Sequence, residues 1–153
     1  MAADTIAVES KTLADGVVVV EGSRGVVRLS RLGPGILLYV CDGVLCEAFY
    51  SPMVAIAQRE VESASKLAMF VDGWALHSVD TGFREQWTEW FKSNKAHFHM
   101  HLLVRSKLMD MAASLANLFT GISVIKSYSN AGAWEQACRK DFPEFRHAAK
   151  KTA

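Results

Sequence analysis

The chain of 153 residues lacks most of the features that give a function away. Its formal net charge is +1, too close to zero to make an electrostatic case for nucleic acid or for an anionic membrane surface. No apolar run approaches the roughly 20 residues that a membrane-spanning helix needs. Residues 1–12 carry Asp4 and Glu9 and no apolar stretch, so they do not read as a signal peptide. The three cysteines, Cys41, Cys46 and Cys138, are an odd number without zinc-knuckle spacing, which points to reduced thiols in a cytoplasmic protein. There is no internal repeat and no low-complexity tract. Gly22-Ser23-Arg24-Gly25 is followed by no Gly-Lys-Ser/Thr, and no strand leads into Gly-x-Gly-x-x-Gly, so neither a P-loop nor a dinucleotide fingerprint is present. A Gly-x-Ser-x-Gly elbow is missing as well. His77, Ser78 and Asp80 sit side by side, whereas members of a hydrolytic triad converge from separate loops, so the three read as a solvated capping loop.

What is present is hydrophobic patterning. Half of the residues are hydrophobic, enough for one sizeable core at this length. The polar, small residues at the start read as a loose tail over 1–16, followed by a single domain over 17–145 and a second tail over 146–153. The basic residues at that end, Arg139, Lys140, Arg146, Lys150 and Lys151, are diluted by Asp141 and Glu144 and read as a solvated terminus. Val17–Glu21, Val26–Leu32 and Ile36–Cys41 are β-type runs separated by the turn signals Gly22-Ser-Arg-Gly25 and Gly33-Pro-Gly35, which predicts an antiparallel meander. Met53, Ile56, Ala57, Val61 and Ala64 then recur at helical spacing behind a Ser51-Pro52 start. Leu67–Val71 and Phe98–Val104 are apolar strands. The first precedes a helix with Phe83, Trp87, Trp90 and Phe91 on one side. The second precedes a helix with Leu108, Met111, Ala112, Leu115, Leu118 and Phe119 on one side, Ser106 at its start and Gly121 at its end. A strand over Ile122–Lys126 and a short helix capped by Asn130 complete the order β-β-β-α-β-α-β-α-β-α. Such alternation predicts an α/β fold whose sheet is parallel in its second half, with function at the carboxyl ends of the strands. Those ends are the expected loops Asp72–Thr81 and Arg105–Lys107.

A β-hairpin followed by repeated αβ units resembles the STAS domain, the fold shared by sulphate-transporter tails and bacterial anti-sigma-factor antagonists. The chain is most similar to divergent, stand-alone STAS-like proteins of bacteria, over about Val26 to Arg139. The resemblance is carried by Phe70-Val71-Asp72 with Val79-Asp80-Thr81-Gly82, by the aromatic helix Phe83–Phe91, and by Val104-Arg105-Ser106-Lys107 before an Ala/Leu/Met-rich helix with Thr120-Gly121 ahead of a strand. It implies a STAS-like mixed sheet with helices mainly on one face, and an interaction module rather than an enzyme. It also implies a phosphate-accepting position. In the anti-sigma antagonists a partner kinase modifies a hydroxyl residue in an Asp-Ser-Ser/Thr-Gly motif at the start of the second helix. Asp80-Thr81-Gly82 matches that motif less one hydroxyl residue. Phosphate at Thr81 would add about −1.5 to −2 charges at a helix N-terminus and alter a docking surface.

The candidate binding and interface residues are therefore Trp74, Ser78, Asp80, Thr81, Ser106 and Lys107. Trp74 is expected in a loop, as an exposed anchor, and Ser106 and Lys107 at a helix start that attracts anions. His97, His99 and His101 alternate with apolar residues, which predicts that all three share one face of a strand. No metal is expected at them, and they read as a half-exposed sheet face: same-face neighbours are nearly 7 Å apart, and three in a row rarely reach one ion. No cofactor is expected. The expected partners are a kinase-like or other regulatory protein and a second copy of the chain. The alternative is a module of the same fold that binds a small ligand or a lipid in its aromatic-rich interior.

Overall fold

The computed structural model describes residues 7–105 and 124–147. Among them seven strands pair in chain order into one sheet: β1 (Glu9–Thr12), β2 (Val18–Glu21), β3 (Gly25–Gly33), β4 (Ile36–Leu45), β5 (Leu67–Val79), β6 (Phe98–Val104) and β7 (Ile125–Tyr128). Strands β1 to β4 are antiparallel, and β4 to β7 are parallel. A 3-10 turn over Glu47–Phe49 leads from β4 into α1 (Tyr50–Ala64). Helix α2 (Thr81–Asn94) joins β5 to β6, and α3 (Ala131–Asp141) follows β7. The expected helix over 108–119, with Ser106, Lys107 and Gly121, lies outside the described residues, as does the start of the strand expected over 122–126.

The strands with continuous apolar runs are buried on both faces, as central parallel strands must be. On one face Leu37, Tyr39 and Cys41 of β4, Leu67, Met69 and Val71 of β5, and Phe98, Met100 and Leu102 of β6 pack under α1 and α2. On the other Leu38, Ala68, Phe70 and Leu103 pack under Trp134 and Cys138 of α3 and under Phe145. Two of the three described α-helices thus cover one face, and the mixed α/β sheet has the STAS-like layout that the resemblance implies.

Four expectations are corrected. Glu9–Thr12 is not a loose tail but an exposed edge strand in register with Val18–Glu21. At the other end His147 is not part of a solvated terminus: it docks on Asp72. Helix α1 starts at Tyr50, because the 3-10 turn already sets its direction, so Ser51 and Pro52 lie inside the first turn, where a proline lacks only an unneeded N–H. The largest change is in β5. Asp72–Val79 is strand rather than loop, because pairing with β4 resumes after register shifts between Val40 and Asp42 and between Gly43 and Val44, and runs on to Leu45 opposite Val79. These irregularities bend the sheet where the apolar run ends. Gly43 makes the bend on β4: its φ is +84°, and a Cβ there would strike the carbonyl of Arg24.

Candidate functional site

Two regions gather the chemistry. The first is the end of the molecule where β5 gives way to α2. Asp80 is the N-cap of α2: its Oδ1 accepts from the Phe83 N–H at 2.8 Å, and its Oδ2 accepts from the Glu47 N–H at 3.1 Å. One carboxylate thereby caps the helix and ties it to the 3-10 turn. Glu47 returns the tie, since its Oε2 accepts from Gln86 Nε2 at 2.6 Å. Its carboxylate also lies where a Cβ on residue 82 would stand, so Gly82 is needed for this approach. Thr81, the first residue of α2, is exposed, and Arg84 donates to its hydroxyl at 3.4 Å.

The other residues expected here are placed differently. Trp74 is half-buried in β5, packs with Phe70 and Trp134 around α3, and carries the Arg105 guanidinium 5.6 Å from its ring centroid. It is a packed residue, not a free loop anchor, because the strand continues past it. Asp72, just before it, is buried. Its Oδ1 accepts from the Trp74 N–H at 3.1 Å and its Oδ2 meets His147 Nε2 at 2.8 Å. Ser78 is half-buried, and His77 beside it points to the opposite face, because successive strand side chains do. That alternation keeps His77, Ser78 and Asp80 from converging.

The second region lies on the face of the sheet under α3. His99 and His101, on β6, point to the same side, with ring centroids 5.3 Å apart. Asp141, the last residue of α3, places Oδ2 2.7 Å from His99 Nε2 and 3.1 Å from His101 Nε2. Tyr128 of β7 closes the group, its hydroxyl 3.2 Å from His101 Nδ1. Trp134, fully buried, donates Nε1–H to the His101 carbonyl at 2.9 Å and so fixes α3 against β6. Burial holds His101 below the usual imidazole value, against the opposing pull of Asp141. Its side chain is 11% exposed and that of His99 is 47% exposed, so one imidazole is sunk and the other faces solvent. His97 does not join them. It lies in the exposed turn before β6, where its backbone carbonyl accepts from Leu67. The alternation of His99 and His101 was readable in the sequence. Asp141 and Tyr128 were not, since they come from other elements and carry no local motif.

Elsewhere the chemistry is muted. Burial pushes the Cys41 thiol up to about 12, and Cys138 is raised by burial too, so both remain protonated. An open groove of about 650 Å³ runs between the β2–β3 side of the sheet and α1, past Val18, Leu29 and Ile56. Of the charged residues that line it, Glu60 is already satisfied, by Arg31 at 2.8 Å and by the Gly35 N–H at 2.7 Å.

A meander that passes into a parallel βα ladder, with the second helix capped at the sheet's end, is the SpoIIAA-like, or STAS, fold in divergent form. A solved structure that shares it is described as an uncharacterized protein from the DUF3478 family with a SpoIIAA-like fold, from Shewanella loihica PV-4. The match covers 90% of this chain and 98% of that one, with a TM-score of 0.55 and 13% sequence identity. No family model matches the chain, and no curated protein matches it. None of the described helices is long and apolar enough to cross a membrane.

Proposed function

We propose that the chain is a non-enzymatic regulatory module that docks on a partner protein through the end of the sheet carrying Glu47, Asp80 and Thr81, and that phosphate on Thr81 switches the docking. The observation that carries the reading is the setting of Thr81. It is an exposed hydroxyl at the first turn of a helix of fourteen residues, beside a capping Asp80 and within reach of Arg84. Phosphate there would gain from the helix N-terminus and from Arg84, and would be repelled by Asp80 and Glu47. That contest makes the Glu47 tie the part that gives way. The fold supports the same reading, since STAS-like modules act by contact.

A second copy of the chain belongs to this proposal, as does a kinase-like or other regulatory protein. Light scattering over a dilution series tests the self-association. For the switch, the protein is incubated with ATP and an extract of its native host, then digested and analysed by mass spectrometry. Phosphate on Thr81, absent from Thr81→Ala, is the expected result. A chain left unmodified at Thr81, with partner binding that Thr81→Glu does not change, would remove the reading.

A further inference from the structure

The group around His99 has a composition that neither docking nor folding calls for. Three ligand atoms, His99 Nε2, His101 Nε2 and one carboxylate oxygen of Asp141, all lie within 4.8 Å of one another. Two imidazoles and a carboxylate are a common donor set for zinc-class divalent ions, and three protein ligands with one solvent position is the usual open form of such sites. We propose that His99, His101 and Asp141 bind a single divalent transition-metal ion, with water in the remaining position on the His99 side.

Four features support this assignment. The distances are close to what is needed: bonds of about 2.0–2.1 Å in a tetrahedron separate neighbouring ligands by roughly 3.3 Å. The contacts of 2.7 and 3.1 Å to Asp141 Oδ2 are those of ligands closed on each other, and the His99 ring, on the solvent side, is the one with room to make way for an ion. The supporting shell is in place. The Tyr128 hydroxyl beside His101 Nδ1 accounts for that nitrogen and leaves Nε2 to the ion, as outer partners of ligating histidines do. The platform is rigid, since β6 lies between β5 and β7, and α3 is anchored by Trp134 and Cys138, both fully buried. Finally, Asp141 puts a negative charge in the last turn of α3, where the helix dipole disfavours it, and a bound cation would offset that charge. The positive groups nearby are Lys126, in register with His101 on β7 and exposed, and Arg139 and Lys140 in the last turn of α3, of which Arg139 is paired with Glu135 and Lys140 is exposed.

The test uses the full chain purified without an affinity tag and stripped with a chelator. Zinc is titrated calorimetrically, and cobalt is used as a visible-absorption probe of coordination. The expected result is one equivalent of zinc and a four-coordinate cobalt spectrum. Affinity should fall by more than about 100-fold in His99→Ala and in Asp141→Asn, and about tenfold in Tyr128→Phe. His99 is exposed, so His99→Ala should keep its fold, as circular dichroism will check. His97→Ala, in the turn, should bind as the parent does. Failure to bind one equivalent, or binding that survives both His99→Ala and Asp141→Asn, would overturn the proposal. Loss of binding in His97→Ala alone would also overturn it. None of these outcomes bears on Thr81.

Discussion

On one face of the sheet Trp87 stacks on Phe91 with centroids 5.5 Å apart, Phe91 stacks on Phe98 at 5.2 Å, and Trp90 closes the group. On the other, Phe70 and Trp134 share their space with His99, His101, Tyr128 and Asp141, and with the Asp72–His147 pair. Both faces are drawn from the same strands, and both are dense. The first contains few polar atoms, among them the Trp90 Nε1–H given to Gln58 and the Tyr39 hydroxyl given to the Met53 carbonyl. The second has a polar network threaded through it. Buried polar groups restrict a core to arrangements that satisfy them. The difference therefore separates a face packed almost wholly by apolar contact from one whose side chains must also satisfy one another's hydrogen bonds.

The sharpest way to break this comparison is to remove one indole from each face. Trp87→Ala should cost about 3–5 kcal/mol in chemical denaturation, with the imidazole resonances of His99 and His101 unmoved. Trp134→Ala should cost about as much and shift those resonances, because it also removes the donor to the His101 carbonyl. Identical imidazole spectra in the two variants would show that the faces are not separate.

A smaller effect is expected at the sheet's end. Asp80→Ala should lower stability by about 1–2 kcal/mol, since it takes away both the cap of α2 and the tie to Glu47. Asp80→Asn should recover part of this. Equal losses in the two variants would mean that the side chain matters for something other than capping.

The smallest effect concerns acid. The hydrogen bond from Arg31 holds the Glu60 carboxyl below the usual carboxylate range, opposed by burial and assisted by the Gly35 N–H. Since the folded value lies below the unfolded one, this stabilisation is complete above about pH 4.3 and fades as pH falls through the folded value. Melting curves should show Glu60→Gln less stable than the parent near neutrality, with the gap narrowing in acid. A gap constant from pH 6 to about pH 3 would argue against it.

Strands β2 to β4, the first half of β5, β6 and helix α2 were legible, the strands from their β-branched, continuous apolar or alternating runs and the helix from its period. The continuous run Leu67–Val71, the alternation from Phe98 to Leu102 and the stripe of Phe83, Trp87, Trp90 and Phe91 had no competing reading; His97 was wrongly counted in that alternation, since it lies in the turn before β6. Asp80 and Asn130 were legible as caps by residue type, and both accept the expected N–H. The continuation of β5 was missed because Asp72-Gly73 looks like a stop. The large apolar residues at Trp74 and Leu76, alternating with Ala75 and His77, were the available signal, and the structure buries the first pair more than the second. Strand β1 was missed because its residues are exposed on both sides, so no pattern marks it. The Asp141 carboxylate was out of reach for a different reason. Forty positions separate it from His101 in the chain, and only the docking of α3 brings them together.

Strand order equals chain order in this sheet, and that has a consequence for how the molecule is made. The topology allows a chain leaving the ribosome to add each strand to an existing edge, from the local meander onward, and requires no described strand to be inserted between two earlier ones. The two imidazoles on β6 are therefore synthesised well before their carboxylate, which comes at the end of the last described helix. A chain stopped at Ser129 would hold both histidines and Tyr128 but lack Asp141, so the histidine group is completed only once α3 has been synthesised.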